Sequence, residues 1–216
     1  MMASGKVEGY LLLYGGNPPF SNPEETMPDA PRAPSAVPRP LRADARRNFD
    51  AVLGAARDAF ATNGPDASLE DIARRAGVGI ATLYRNFPTR SSLIEAVYFD
   101  EVDALCRAAE DLGELPPWDA LIAWLRRFVE YATTKRALLD GLNRDSDMFR
   151  NAKDAMFDAG RPLLARAQAS GDARSDVEIG DVLYLISGLL SVTYATDEQR
   201  ERVLGLALDG IRPQRA

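Results

Sequence analysis

From Arg42 onward apolar side chains return every three or four residues, and no stretch alternates with the period of two that a half-buried strand requires. Phe49, Val52, Leu53, Ala56 and Phe60 set this pattern and outline a first helix. Asn63-Gly64-Pro65 stops it, because glycine accepts a left-handed cap and proline cannot continue a helix. Ser68-Leu69-Glu70-Asp71 then resembles a capping box opening a short second helix through Ile72, Ala73 and Ala76, which ends at Gly77. A third helix follows Gly79 and runs to about Phe87. After the break at Pro88-Thr89, Leu93, Ile94, Val97, Tyr98 and Leu105 outline a long fourth. Pro116-Pro117 precedes a fifth, reaching about Leu139. Two helices are expected within 145–170, with strain at Pro162, and a last pair at about 177–195 and 197–211. The fold class is all-α, with about nine helices: a three-helix N-terminal domain at 42–92 and a helical body at 93–216.

Composition removes whole classes of function. The 216 residues include no histidine, which excludes Ser-His-Asp and Cys-His catalysis, histidine-containing zinc sites and imidazole proton shuttles. The single cysteine, Cys106, excludes an intramolecular disulfide and fits a reducing compartment, where it reads as a small hydrophobe. No window of about twenty uncharged apolar residues exists, which argues against a spanning helix. The Tyr10–Tyr14 run is too short for a secretory segment. Eight prolines between Pro18 and Pro40 prevent helix hydrogen bonding, so 1–41 reads as a disordered arm.

The net charge of −6 is unevenly spread. Residues 42–92 carry eight arginines and six acidic groups, whereas 93–216 carry fifteen basic and twenty-two acidic groups. A basic segment on an acidic body suits local contact with nucleic acid and orients the molecule toward it. Two short helices joined by Gly77-Val78-Gly79, the second small enough to enter a major groove, form a helix-turn-helix. Ile80 and Ala81 stand at the start of the recognition helix, followed by Thr82, Tyr84 and Arg85, which offer hydroxyl and guanidinium donors. Arg46, on the first helix, is a further candidate for DNA contact, and Leu83 and Phe87 read as core.

The stretch from Ser68 to Leu93, with Ile72-Ala73-x-x-Ala76-Gly77-Val78 and Thr82-Leu83-Tyr84-x-x-Phe87, resembles the tetracycline-repressor (TetR) family of bacterial transcriptional regulators. The resemblance covers about 45–95 strongly, and the ending from Asp176 to Pro213 resembles the family's terminal dimer helices. It implies phosphate contacts from Thr82, Tyr84 and Arg90, a DNA-side position for Ser68, and base reading by Ile80, Ala81 and Arg85. It also implies a variable ligand-binding and dimerisation domain, and a bacterial cytoplasmic protein associated with the nucleoid when bound to DNA. One departure stands out: Gly79 occupies a position where the family often has Ser or Thr, so the recognition helix loses a side-chain cap worth a few tenths of a kcal/mol.

Bulky residues in the body are expected to be core or, for a subset, to line an apolar pocket: Trp118, Leu121, Leu125, Phe128, Tyr131, Phe149 and Met156. The last helices have almost no polar face, which points to a two-fold dimer through Leu185, Leu189, Val192, Leu204 and Leu208. No cofactor and no metal are expected. The reading is a homodimeric, ligand-responsive repressor of a palindromic double-stranded operator, released by an apolar or amphipathic small molecule. The alternative is a helical protein-interaction module whose helix-turn-helix no longer binds DNA. An enzyme built on Asp140, Asp145 and Asp147 is disfavoured, since their spacing matches no acid/base or metal set.

Overall fold

The computed structural model describes residues 39–40, 42–138, 142 and 147–213, apart from the side chains of Thr134, Arg136, Ala137 and Met148. Among the described residues there are eight helices and no strand. They are α1 (Ala43–Asn63), α2 (Leu69–Arg75), α3 (Ile80–Asn86), α4 (Arg90–Asp111), α5 (Pro117–Leu138), α6 (Asp147–Ala169), α7 (Ile179–Leu190) and α8 (Asp197–Asp209). Of the expected Pro-rich arm, 1–38 and 41 lie outside the described residues, as do Asp140 and Asp145.

Two expected boundaries differ from those observed. Residues 147–169 form one helix rather than two, running through Pro162. Pro162 is exposed, as is Asp158, whose carbonyl it cannot serve, while Met156, Gly160, Leu163, Leu164 and Ala167 keep the opposite face buried. Among the described residues the helix count is therefore eight rather than about nine. The seventh helix, in turn, ends at Leu190 rather than near 195. The Ser191 hydroxyl donates to the Gly188 carbonyl at 2.7 Å and the Tyr194 hydroxyl to the Leu189 carbonyl at 3.0 Å, taking acceptors that another turn would have used. Thr196 then caps α8, its hydroxyl accepting from the Gln199 N–H at 3.2 Å.

The apolar side chains gather into two cores. The N-terminal one holds Phe49, Val52, Leu53, Phe60, Ile72, Leu83 and Phe87. The second fills the body with Leu121, Trp124, Leu125, Phe128, Met156, Leu183 and Ile186. Helix α4 serves both, giving Leu93, Ile94, Ala96 and Val97 to the first and Tyr98, Phe99, Val102 and Leu105 to the second. A second link is Leu138, at the end of α5, fully buried in the N-terminal core. Charged groups add a third. Arg57 of α1 pairs with Asp100 at 2.8 Å and with Glu101, both on α4, and Arg39 pairs with Asp100 and, at 3.8 Å, with Asp50. Burial raises the Glu101 carboxyl above its ordinary range despite the neighbouring Arg57.

Candidate nucleic-acid interface and regulatory body

The helix-turn-helix is built by local chemistry that the sequence displays. Ser68 caps α2, its hydroxyl accepting from the Asp71 N–H at 3.2 Å and donating to Glu70 Oε2 at 3.1 Å. The box is only half closed, because the Asp71 carboxylate accepts from Arg74 at 2.6 Å, which holds that carboxyl below its usual range. At the other end Gly77 has φ 69°, with its N–H on the Arg74 carbonyl (3.2 Å) and the Val78 N–H on the Ala73 carbonyl (3.0 Å). That pair of bonds is a Schellman closure, which needs a residue able to enter the left-handed region. The turn aims α3 outward. Leu83 and Phe87 are buried against the domain core, and Phe87 packs on Phe49 with ring centroids 4.9 Å apart.

What remains on the outer side of α3 is the set expected to meet DNA. Ile80 is 37% and Tyr84 45% exposed, and Ala81 and Arg85 are also open to solvent. Thr82 is half-buried; its carbonyl accepts from Asn86 at 3.0 Å and its hydroxyl accepts a long bond, 3.4 Å, from Arg85. Arg46 and Ser68 are exposed. Arg90, the remaining phosphate candidate, is differently placed. It is half-buried, and its Nη1 donates to the Pro65 carbonyl at 2.9 Å and to the Ala67 carbonyl at 2.6 Å.

Gly79 is the N-cap of α3, with extended φ −72° and ψ 147° and no side-chain cap bond. A Cβ there would meet nothing within 4 Å. Gly79→Ser should therefore stabilise the protein by a few tenths of a kcal/mol through a new cap. Denaturant titration checks this, a lower midpoint contradicting it.

In the body, the residues expected to line a pocket come together as packed core. Leu121, Leu125, Phe128, Tyr131 and Met156 are buried. Phe149 stacks on Tyr98 at 5.1 Å, and Phe128 lies 5.7 Å from Tyr131. Trp118 is half-buried, with the Arg212 guanidinium 4.1 Å from its ring centre. The Tyr131 hydroxyl donates to that of Tyr98 at 3.3 Å, and burial keeps both protonated: Tyr98 is pushed up to about 12 and Tyr131 well above its ordinary value. Cys106 rises to about 11 for the same reason, which removes thiolate reactivity near neutrality. A cavity of about 340 Å³ lies elsewhere, at the junction of α5, α7 and α8. It is lined by Thr133, Leu190, Val192, Tyr194, Ala195, Thr196, Asp197 and Arg200.

The expected dimer residues divide. Leu185 is 46% and Val192 53% exposed, and Leu189 and Leu208 are half-buried. Leu204, by contrast, is buried within its own protomer and belongs to the body's core. Among the described large hydrophobic side chains the most open to solvent is Leu206, at 73%. The α8 pattern Val203, Leu204, Leu206, Leu208 contained it, but only packing could separate the inward leucine from the outward one.

A tight helix-turn-helix presenting its second helix, joined by one shared helix to an all-helical body, defines a DNA-binding regulator rather than an enzyme. Two family models match the chain: residues 52–97 match the bacterial regulatory proteins of the tetR family, and residues 116–213 match the C-terminal domain of SbtR-like transcriptional regulators. The chain is similar to the solved TetR transcriptional regulator SCO0520 from Streptomyces coelicolor, at 43% identity and TM-score 0.68, covering 77% of this chain and 99% of that one. It is also similar to a TetR regulatory protein from Mycobacterium vanbaalenii, at 36% identity and TM-score 0.65, covering 81% and 100%. The HTH-type transcriptional regulator SrpR of Pseudomonas putida is 26% identical over 184 residues, which is 79% of this chain and 86% of that protein. The chain belongs to the TetR family of transcriptional regulators.

Proposed function

We propose that the protein is a cytoplasmic homodimeric repressor that binds a palindromic operator and is released by a small molecule. The observation that carries this reading is the outer side of α3. Ile80, Ala81, Tyr84 and Arg85 are exposed at the start and middle of a helix short enough to lie in one major groove. In this reading Ile80, Ala81 and Arg85 meet base edges, and Thr82, Tyr84, Arg46 and Ser68 meet the backbone. Two copies related by a two-fold axis read two half-sites, hence the palindrome. Release requires an effector with different affinity for the DNA-bound and free conformations, and operator DNA then weakens the effector by the same factor. The shared helix α4 and the insertion of Leu138 supply the physical connection between body and α3.

The test is selection of bound fragments from sheared genomic DNA by the purified protein. A shared motif with two-fold symmetry, bound in a salt-sensitive manner, is expected. Failure to enrich any fragment at low salt would overturn this reading and favour a helical protein-interaction module.

A further inference from the structure

We infer that Arg90 is a positioning residue that fastens the linking helix α4 to the entrance of α2, rather than a phosphate contact. The inference takes the DNA-binding role of α2 and α3 as its premise. Arg90 is the first residue of α4, and one nitrogen of its guanidinium reaches back more than twenty positions to two carbonyls, those of Pro65 and Ala67. These flank Asp66 in the segment that joins α1 to α2. The same segment is pinned at its other side by Ala67, whose side chain is buried and whose N–H donates to the Gly64 carbonyl at 3.2 Å.

The position of that segment sets the position of α2. Ser68, the cap of α2, directly follows the Ala67 carbonyl, and Leu69 is buried one residue later. Helix α2 in turn carries the Gly77 closure that aims α3. A displacement of the start of α4 must therefore carry the α2 entrance with it or break both bonds. Swinging Arg90 outward to a phosphate would likewise take the donor away from two carbonyls that it serves in a half-buried place, where leaving acceptors unserved is costly. The basic charge lies at the edge of the DNA-facing module, but its geometry is that of a strut.

The two roles differ in salt dependence. A lost phosphate contact lowers the slope of log K against log salt by about 0.9 per contact. A lost strut lowers affinity through misplacement of α3 and leaves the number of released ions unchanged. Arg90→Gln, measured well below its melting temperature on a duplex enriched by the wild-type protein, should bind about tenfold more weakly with the wild-type salt slope. Amide exchange at residues 67–71 of the free protein should accelerate as the α2 entrance loosens.

A slope reduced by about one or more, or unchanged affinity and unchanged exchange, would overturn the inference. If Arg90→Gln does not fold, Arg90→Lys decides. An ammonium satisfies a phosphate as a point charge, so a phosphate contact predicts wild-type affinity for it. The strut predicts loss, because the lysine Nζ ends one bond short of the Nη1 that serves both carbonyls. If no duplex is enriched by the wild-type protein, the DNA-binding premise fails. The exchange measurement then still tests the strut: acceleration at 67–71 supports it, and no change overturns it.

Discussion

Gly160→Ala is expected to lower the melting temperature by about 2–12 °C, the span corresponding to a loss of about 1–3 kcal/mol in a chain of this size. Alanine is the better helix former by up to about 1 kcal/mol, and Gly160 lies inside α6, so local propensity alone predicts the opposite sign. Packing reverses it. A Cβ at Gly160 would overlap Trp124 Cη2 and stand 2.6 Å from its Cζ3 and 2.9 Å from Ile179 Cγ1. The indole has no room to retreat, because Trp124 is fully buried and its Nε1 donates to the Leu105 carbonyl at 3.0 Å. Valine, with two further carbons in the same space, should lose more or fail to fold. Thermal unfolding followed by tryptophan fluorescence checks both substitutions. An alanine variant as stable as the wild type would show that Trp124 and Ile179 can move aside.

Leu206→Glu should convert the protein from a dimer of twice its 23.6 kDa chain mass to a monomer at micromolar concentration. Leu206 contributes little to its own protomer, being 73% exposed, so the substitution leaves the body's core intact, and a dimer proposed to form through this exposed apolar face of α8 would have to bury the new charge. Leu185→Glu, on the neighbouring α7, should act similarly. Leu189 is a poorer probe, because it is half-buried and its loss would disturb protomer and interface together. A monomer can engage one half-site only, so operator affinity should fall by about 10²- to 10⁴-fold with the loss of bivalency. Sedimentation and operator binding measured on the same samples test the two effects. A Leu206→Glu protein that remains a dimer would move the interface away from α8.

Both cases show how far local patterning reaches. The N-terminal domain was legible almost to the residue, since its signals act within a few positions. The Ser68 cap and the Gly77 closure are each formed by groups two to five residues apart. The inward Leu83 and Phe87 and the outward Ile80, Tyr84 and Arg85 follow from helical phase once one face is known to be buried. The same phase could have found Leu138, which lies seven residues beyond Tyr131 on the α5 stripe.

Other features depended on contacts between distant segments. Whether a bulky residue of α5 or α6 faced a cavity or another side chain could not follow from its spacing, because core and pocket walls share one composition. Tertiary packing decided that Phe149 stacks on Tyr98, that Leu204 is inward while Leu206 is outward, and that Gly160 must lack a side chain. Arg90 is the sharpest example. By itself the sequence determined the fold class, the helix-turn-helix and the residues on the outer side of its second helix, because capping and helical phase are short-range and repeat with a fixed period. Only the tertiary structure decided where that arginine's charge is spent, since its partners, Pro65 and Ala67, lie more than twenty residues away and are backbone carbonyls that leave no mark in the sequence.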